Sequence, residues 1–329
     1  MDLDSYLIRH EPAWDRLATL TGKARREPTE LSTDELDDLV LLYQRASSEL
    51  SHSRRAFADS GLDARLTRLV AEAHAVLRSR RSGSRRQAFV DFLAIGFPAA
   101  VWWHGRYIAV SAALTLGPFL ILGAWLANSD AALDAAAPEA VRQAYIEEDF
   151  EAYYSSEPAA GFSTSVLVNN IQVSVLALAG GVLAGIGTIV ILVQNGANIG
   201  LALGMFASVG EQPRFWGLIL PHGLLELTAV IIAGAAGLAL GWAIVAPGDR
   251  SRADALAEAG RRSVTVIGGL ALAFVVAGII EGFVTPSPLP TGVRVGIGVA
   301  VETAFLLYLF ALGRRAAADG ATGLLGEQP

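Results

Sequence analysis

From Phe162 to Gly210 the chain runs for 49 consecutive residues without a charged side chain. A globular core in water cannot use so long a stretch, because some of it must surface; only a hydrocarbon solvent can cover it. The charge distribution follows the same division. Only 17% of the 329 residues are charged and 53% are hydrophobic, against roughly 25% charged in a soluble protein. Most of those charges crowd into residues 1–86. The expected fold is therefore all-α: a polytopic membrane helical bundle over residues 91–315, preceded by an N-terminal cytoplasmic helical domain over 1–90. Residues 316–329 are expected to form a disordered tail. With no cysteine in the chain, disulfide and thiolate chemistry are excluded. The first thirty residues lack the apolar core of a signal peptide, so the N-terminus is expected to stay inside.

Three amphipathic stripes occupy the first eighty residues. Leu3, Leu7, Trp14 and Leu17 share one helical face, which is expected to stop at Thr21-Gly22. Ser32-Thr33-Asp34-Glu35 has the form of a capping box ahead of Leu36, Leu39, Val40 and Tyr43. A third stripe comprises Leu62, Leu66, Leu69, Val70, Ala73 and Leu77. Together they predict a small helical bundle. The Arg-rich joint formed by Arg78, Arg80, Arg81, Arg85 and Arg86 has the charge to bind nucleic acid. Its position directly before a membrane span favours lipid headgroups instead, and no nucleic-acid partner is expected.

Given about 20 residues per crossing, the apolar segments predict helices at 107–127, 165–193, 216–246, 264–284 and 293–312, with a short piece at 198–209. Charge asymmetry decides whether the short piece crosses. Five Arg precede the first span, whereas the loop 128–162 holds Arg142 against eight acids: Asp130, Asp134, Glu139, Glu147, Glu148, Asp149, Glu151 and Glu157. Arg250, Arg252, Arg261 and Arg262 lie in the segment 247–263, none in 285–292, and Arg314-Arg315 follow the last span. Only six crossings put all the Arg-rich segments on one side. The expected location is the inner (cytoplasmic) membrane, multi-pass, with both termini cytoplasmic and 128–162 outside. In that outer loop a helix over 138–155 would place Tyr145, Phe150, Tyr153 and Tyr154 at headgroup level, or offer an acidic-aromatic docking face. The small-residue pairs Gly181/Gly185, Gly196/Gly200/Gly204, Gly237/Gly241 and Gly292/Gly296 predict close helix contacts, within the bundle or across a homodimer.

Ionisable groups inside spans are costly and mark candidate functional positions. The set is Asn169, Asn170, His222, Glu226, Glu281 and Glu302, with Gln172 beside the first two and Gln194, Asn195 and Asn198 expected at the break between the second and third spans. His222 and Glu226 stand four apart on one helix face, and Pro221 is expected to break or kink the helix one turn before Glu226. In the six-crossing arrangement Asn169/Asn170, His222/Glu226 and Glu281 all fall in the outer half of the bilayer. Three uses fit them: structural pairing between helices, a proton or solute relay, or a zinc site built from His222, Glu226 and Glu281. No zinc-hydrolase signature accompanies them. Neither a catalytic set, a resident metal nor a cofactor is therefore assigned.

The chain resembles the stage II sporulation protein M family of bacterial membrane proteins. The resemblance rests on Arg9-His10-Glu11-Pro12-Ala13-Trp14-Asp15-Arg16-Leu17, Tyr43-Gln44-Arg45-Ala46-Ser47-Ser48-Glu49-Leu50, Asn169-Asn170, Asn195-Gly196 and, most specific, Pro221-His222-Gly223-Leu224-Leu225-Glu226. It implies a non-enzymatic membrane scaffold or adaptor of a cell-envelope complex, with peptidoglycan-remodelling envelope proteins as partners. A membrane transporter, or a membrane-embedded metal-dependent enzyme using the buried His/Glu/Asn cluster, is the alternative.

Overall fold

The computed structural model describes residues 3–26, 31–57, 59–81, 85–146 and 159–324, which are largely helical and contain no strand. The chain divides into two compact units, Met1–Val90 and Asp91–Pro329.

The first unit is built on α1 (Leu3–Arg26), α2 (Thr33–Ala56) and α3 (Ser60–Arg81). Their apolar stripes meet in one core of Trp14, Leu17, Leu20, Leu39, Ala46, Leu66 and Ala73, all nearly inaccessible to solvent. Glycine normally disfavours helix continuation, yet α1 passes through Gly22 and ends four residues later than its periodicity predicts. Burial of Ala24 extends the core contact and outweighs the local preference. Glu49, itself buried, accepts from Trp14 Nε1 at 2.6 Å and from Arg45 Nε at 3.0 Å, and pairs with His10 Nδ1 at 2.6 Å. Two stretches far apart in sequence therefore converge on one carboxylate.

The capping box forms as the spacing predicts: Glu35 N donates to Ser32 Oγ (3.2 Å) and Ser32 N to a Glu35 carboxylate oxygen (3.0 Å). Replacing Ser32 with alanine should destabilise the unit by about 1 kcal/mol, measurable as a lowered thermal midpoint. Lys23, bonded to both Glu35 oxygens at 2.8 Å, holds that carboxyl below the usual glutamate range, helped by the Ser32 amide. The contribution of this pair is thus present at neutral pH and lost as acidification passes through the lowered titration range.

The boundary between the units falls within α4 (Arg85–Asp91); in the second unit a π-turn (Phe92–Gly96) and α5 (Phe97–Trp103) lead into α6 (Gly105–Ala127). Short helices α7 (Asp130–Ala136) and α8 (Glu139–Ala144) follow. Then come α9 (Ala159–Ala179), α10 (Ile186–Ser208), α11 (Gln212–Val245), α12 (Arg252–Ile279) with a π-turn at Ile280–Val284, and α13 (Thr291–Ala318). Five of these, α6 and α10 to α13, are long and apolar enough to cross a membrane, and α9 adds a shorter apolar stretch at Val168–Val182.

The helices alternate in direction. Close approaches of Gly196 to Thr115, Gly200 to Phe119 and Gly204 to Leu126 make α6 and α10 parallel. Asn170 beside Glu226 and Ala177 against Gly237 make α9 parallel to α11, and Thr291 against Gly217 with Gly298 against Pro221 do the same for α13. Helix α11 occupies the centre: every residue from Ala229 to Gly237 is buried, as expected of a helix surrounded on all sides. Hydroxyls tie its neighbours together, Ser111 Oγ donating to Ile231 O and Thr188 Oγ1 to Ala177 O, each at 2.7 Å. The peripheral helices turn Leu120, Ile121, Trp125, Val190, Leu306, Leu307 and Phe310 outward.

Several boundaries differ from the sequence expectation. The segment 165–193 is not one span, and 198–209 is not a separate short one. The break lies at Gly180–Gly185, where Ala184 and Gly185 take positive φ (52° and 84°), and one 23-residue helix runs from Ile186 to Ser208. Gln194, Asn195 and Asn198 thus sit inside α10. The physical signal for the turn is a left-handed glycine, whereas amide side chains within an apolar run are compatible with an unbroken helix. The segment 247–263 is mostly helix, because Ser251 caps α12 by accepting from Asp254 N at 3.1 Å. Nor is the tail wholly disordered: α13 continues to Ala318, and residues 319–324 turn back on Gly320 and Gly323, both at positive φ. Trp103 Nε1 donates to Ala321 O (3.2 Å) and Arg262 Nε to Thr322 O (2.8 Å), which secures the segment. The expected helix over 138–155 is realised at Glu139–Ala144, while Phe150, Tyr153 and Tyr154 lie outside the described residues.

A candidate intramembrane carboxylate site

Near the end of the bundle where α6 and α10 finish and α11 begins, three helices bring polar side chains together. Helix α11 carries His222 and Glu226 one turn apart, and the π-turn after α12 carries Glu281. A π-turn widens the helix by one residue and disrupts its hydrogen-bond ladder locally, a device common at functional positions. Pro221, inside α11, removes a backbone donor one residue before His222. The two helices that carry the carboxylates are thus irregular at or near the site.

His222 Nε2 stands 3.5 Å from Glu281 Oε1, and His222 Nδ1 lies 3.2 Å from Thr285 Oγ1. Asn170 of α9 makes a side-chain hydrogen bond to Glu226, and Glu226 and Glu281 are close enough to act on each other electrostatically. His222 is 3% exposed, Glu226 7% and Glu281 0%. Glu226 Oε1 and both oxygens of Glu281 nevertheless have no hydrogen-bond partner among the described residues. The 3.5 Å approach of His222 is an ion-pair separation without hydrogen-bond geometry, so Glu281 remains unsatisfied as an acceptor. Arg294, at the start of α13, donates to the Thr285 carbonyl and, at 3.1 Å, to Thr291 Oγ1.

Of the six positions singled out in the sequence, the structure brings together Asn170, His222, Glu226 and Glu281. Asn169 is exposed instead, since adjacent residues on a helix point about 100° apart. Glu302 belongs to a different contact, accepting from Thr228 Oγ1 at 2.7 Å between α13 and α11. Sequence reasoning missed Thr285, Thr228 and Arg294. Thr285 carried a signal, being one turn after Glu281 and just before Pro286; Thr228 had none, because a single threonine in an apolar span usually bonds its own helix. Among the described residues no three His, Cys, Asp or Glu side chains group as metal ligands, so the zinc arrangement considered for His222, Glu226 and Glu281 does not assemble.

Comparison with known proteins matches two families to separate parts of the chain. Residues 4–79 match a domain of unknown function (DUF8413), and residues 112–286 match the stage II sporulation protein M family. An uncharacterized protein of the archaeon Methanocaldococcus jannaschii is 30% identical over 124 residues, covering 37% of this chain and 70% of that protein. No solved structure matches. The match over 112–286 takes in α9 to α11, α12 and the π-turn with Glu281 and Thr285, and so the whole carboxylate site. On that span, more than half of its length, the chain belongs to the stage II sporulation protein M family.

Proposed function

We propose that the chain is a membrane scaffold or adaptor of a cell-envelope complex, with the first unit acting as a docking module and the bundle as its anchor. The observation that carries this reading is modularity. Residues 1–90 form a compact unit with its own hydrophobic core, and the family matched there is distinct from the one matched in the membrane unit. A separately folded, charged helical module on a membrane bundle suits the joining of a partner to the bilayer.

The charge distribution supports an orientation with both termini inside. Arg106, Arg250, Arg252, Arg261, Arg262, Arg314 and Arg315 gather at one end of the helical bundle, against Arg142, Arg214 and Arg294 at the other. The positive-inside rule puts the richer end in the cytoplasm. Among the described residues no helix long and apolar enough to cross precedes α6, so the first unit is assigned to the cytoplasm.

The test is affinity purification of the tagged full-length protein from crosslinked membranes, in parallel with a form lacking residues 1–81. Envelope proteins should be enriched with the full chain and lost with the deletion. Recovery of the full chain alone, as a stable homomer, overturns the adaptor reading.

A further inference from the structure

The bundle contains carboxylates that its described residues leave unsatisfied. Glu281 is wholly buried, and neither oxygen finds a donor among the described residues; Glu226, 7% exposed, leaves Oε1 without one. An ionised carboxylate in a low-dielectric interior is costly unless a positive charge accompanies it. The charged and titratable groups around these two can be enumerated by helix. Helices α9 and α10 carry none, and α6 carries only Arg106 and Tyr107, both at its opposite end. Besides Glu226, α11 has His222 and, at its first turn, Arg214. The five charged residues of α12 lie in its first eleven positions, far from Glu281. Helix α13 supplies Glu302, bound to Thr228, and Arg294, whose hydrogen bonds go to Thr285 O and Thr291 Oγ1 and whose Nε has no partner among the described residues; its Tyr308, Arg314 and Arg315 lie toward the opposite end. Among the described residues the cationic candidate in contact is His222, at 3.5 Å from Glu281 and without hydrogen-bond geometry to it.

The side chains gathered here are rich in oxygen. Glu226 and Glu281 supply carboxylate oxygens, Asn170 an amide and Thr285 a hydroxyl, and the two carboxylates stand on or beside helix segments interrupted by a proline or a π-turn. In membrane proteins such interrupted helices recur where small cations bind, because they leave backbone carbonyls available inside the bundle. A multivalent metal is disfavoured, since among the described residues three strong ligands do not group there.

We propose that Glu226 and Glu281, with Asn170 and Thr285, form a binding site for one monovalent cation, either a proton or a sodium ion. The site goes beyond the adaptor role and stands or falls separately from it, because its test involves no partner protein.

The experiment is thermal unfolding of the purified full-length protein in detergent, titrating sodium chloride against choline chloride at constant ionic strength, and repeating the series across pH. If sodium is the cation, Tm rises with sodium and not with choline, by about 5 °C once sodium reaches roughly a hundred times its Kd. If the proton is the cation, Tm is indifferent to sodium and falls as alkaline buffer removes the proton. In either case Glu281→Gln, which keeps the shape and removes the charge, abolishes the response, and Glu226→Gln weakens it. Wild type and both variants responding identically to sodium and to pH overturns the proposal. Should the variants fail to fold, the infrared spectrum of the wild-type protein decides. A carboxyl band from an acid without hydrogen-bonded water supports the proton, and a sodium-induced shift of a carboxylate band supports sodium. Absence of both overturns the site.

Discussion

Replacing Gly196 with alanine should destabilise the membrane unit by about 3 kcal/mol, at the upper end of what overpacking costs. A Cβ added at this position would lie 2.0 Å from the Thr115 carbonyl oxygen, with Thr115 C and Cα also within contact distance. No side-chain rotamer can relieve that clash, because the opposing surface is backbone. The neighbouring glycines are also tight: an added Cβ would lie 2.6 Å from the Phe119 carbonyl oxygen at Gly200 and 2.5 Å from Leu126 Cβ at Gly204. Helices α6 and α10 must therefore separate along their length or unwind locally. The matched control is Gly296→Ala, where an added methyl meets nothing within 4 Å. There alanine should be neutral or slightly stabilising, since glycine is the poorer helix former by about 1 kcal/mol. Fluorescence-detected size-exclusion after heating reads both: Gly196→Ala should lose its folded peak at lower temperature than wild type, and Gly296→Ala should not. Coincident melting of Gly196→Ala and wild type would refute the close α6–α10 contact.

The second large effect lies in the N-terminal unit. Trp14 is 1% exposed at the centre of its core, and its indole donates to the buried Glu49. Trp14→Ala removes the largest buried side chain of the unit and leaves Glu49 a partner short, so a loss of about 3–5 kcal/mol is expected. A single core of this size supplies roughly that much in total, so the unit should unfold outright. Glu49→Gln is milder: one oxygen remains an acceptor for Trp14 or His10, while the charge that attracts Arg45 is gone. Limited proteolysis of the full-length protein separates the cases. Trp14→Ala should open cleavage sites within residues 3–81 while the membrane unit stays helical. Protection equal to wild type would mean that the core does not depend on this indole.

Much of the fold was legible because its causes are local. Uncharged runs mark the bundle, Ser32 and Glu35 mark the start of α2, and three apolar stripes mark the N-terminal core. The turn between α9 and α10 was misplaced because Gln194 and Asn195 look like a break in hydropathy, whereas the chain reverses on Ala184 and Gly185, whose left-handed backbone carries no hydropathic signal. Helix α5 was not anticipated either: its burial depends on α13 and α12 closing over Phe97 and Val101, with Tyr308 donating to Leu93 O at 2.6 Å.

The candidate site divides in the same way. That His222 and Glu226 share a face follows from their spacing, and the expense of Glu281 in an apolar helix follows from its charge. Which of the two adjacent asparagines joins them, and that Glu302 does not, depended on how α9 and α13 are rotated about their axes.

By itself, then, the sequence determined that this chain is an all-helical membrane protein with a folded N-terminal unit, because transfer of uncharged runs into lipid and capping of helices are set by neighbouring residues. Only the tertiary structure decided that Asn170, His222, Glu226, Glu281 and Thr285 meet. Helix rotation and register come from glycine contacts such as Gly181 with Gly237 and Gly298 with Pro221, and the residues that make those contacts lie more than fifty positions apart in the chain.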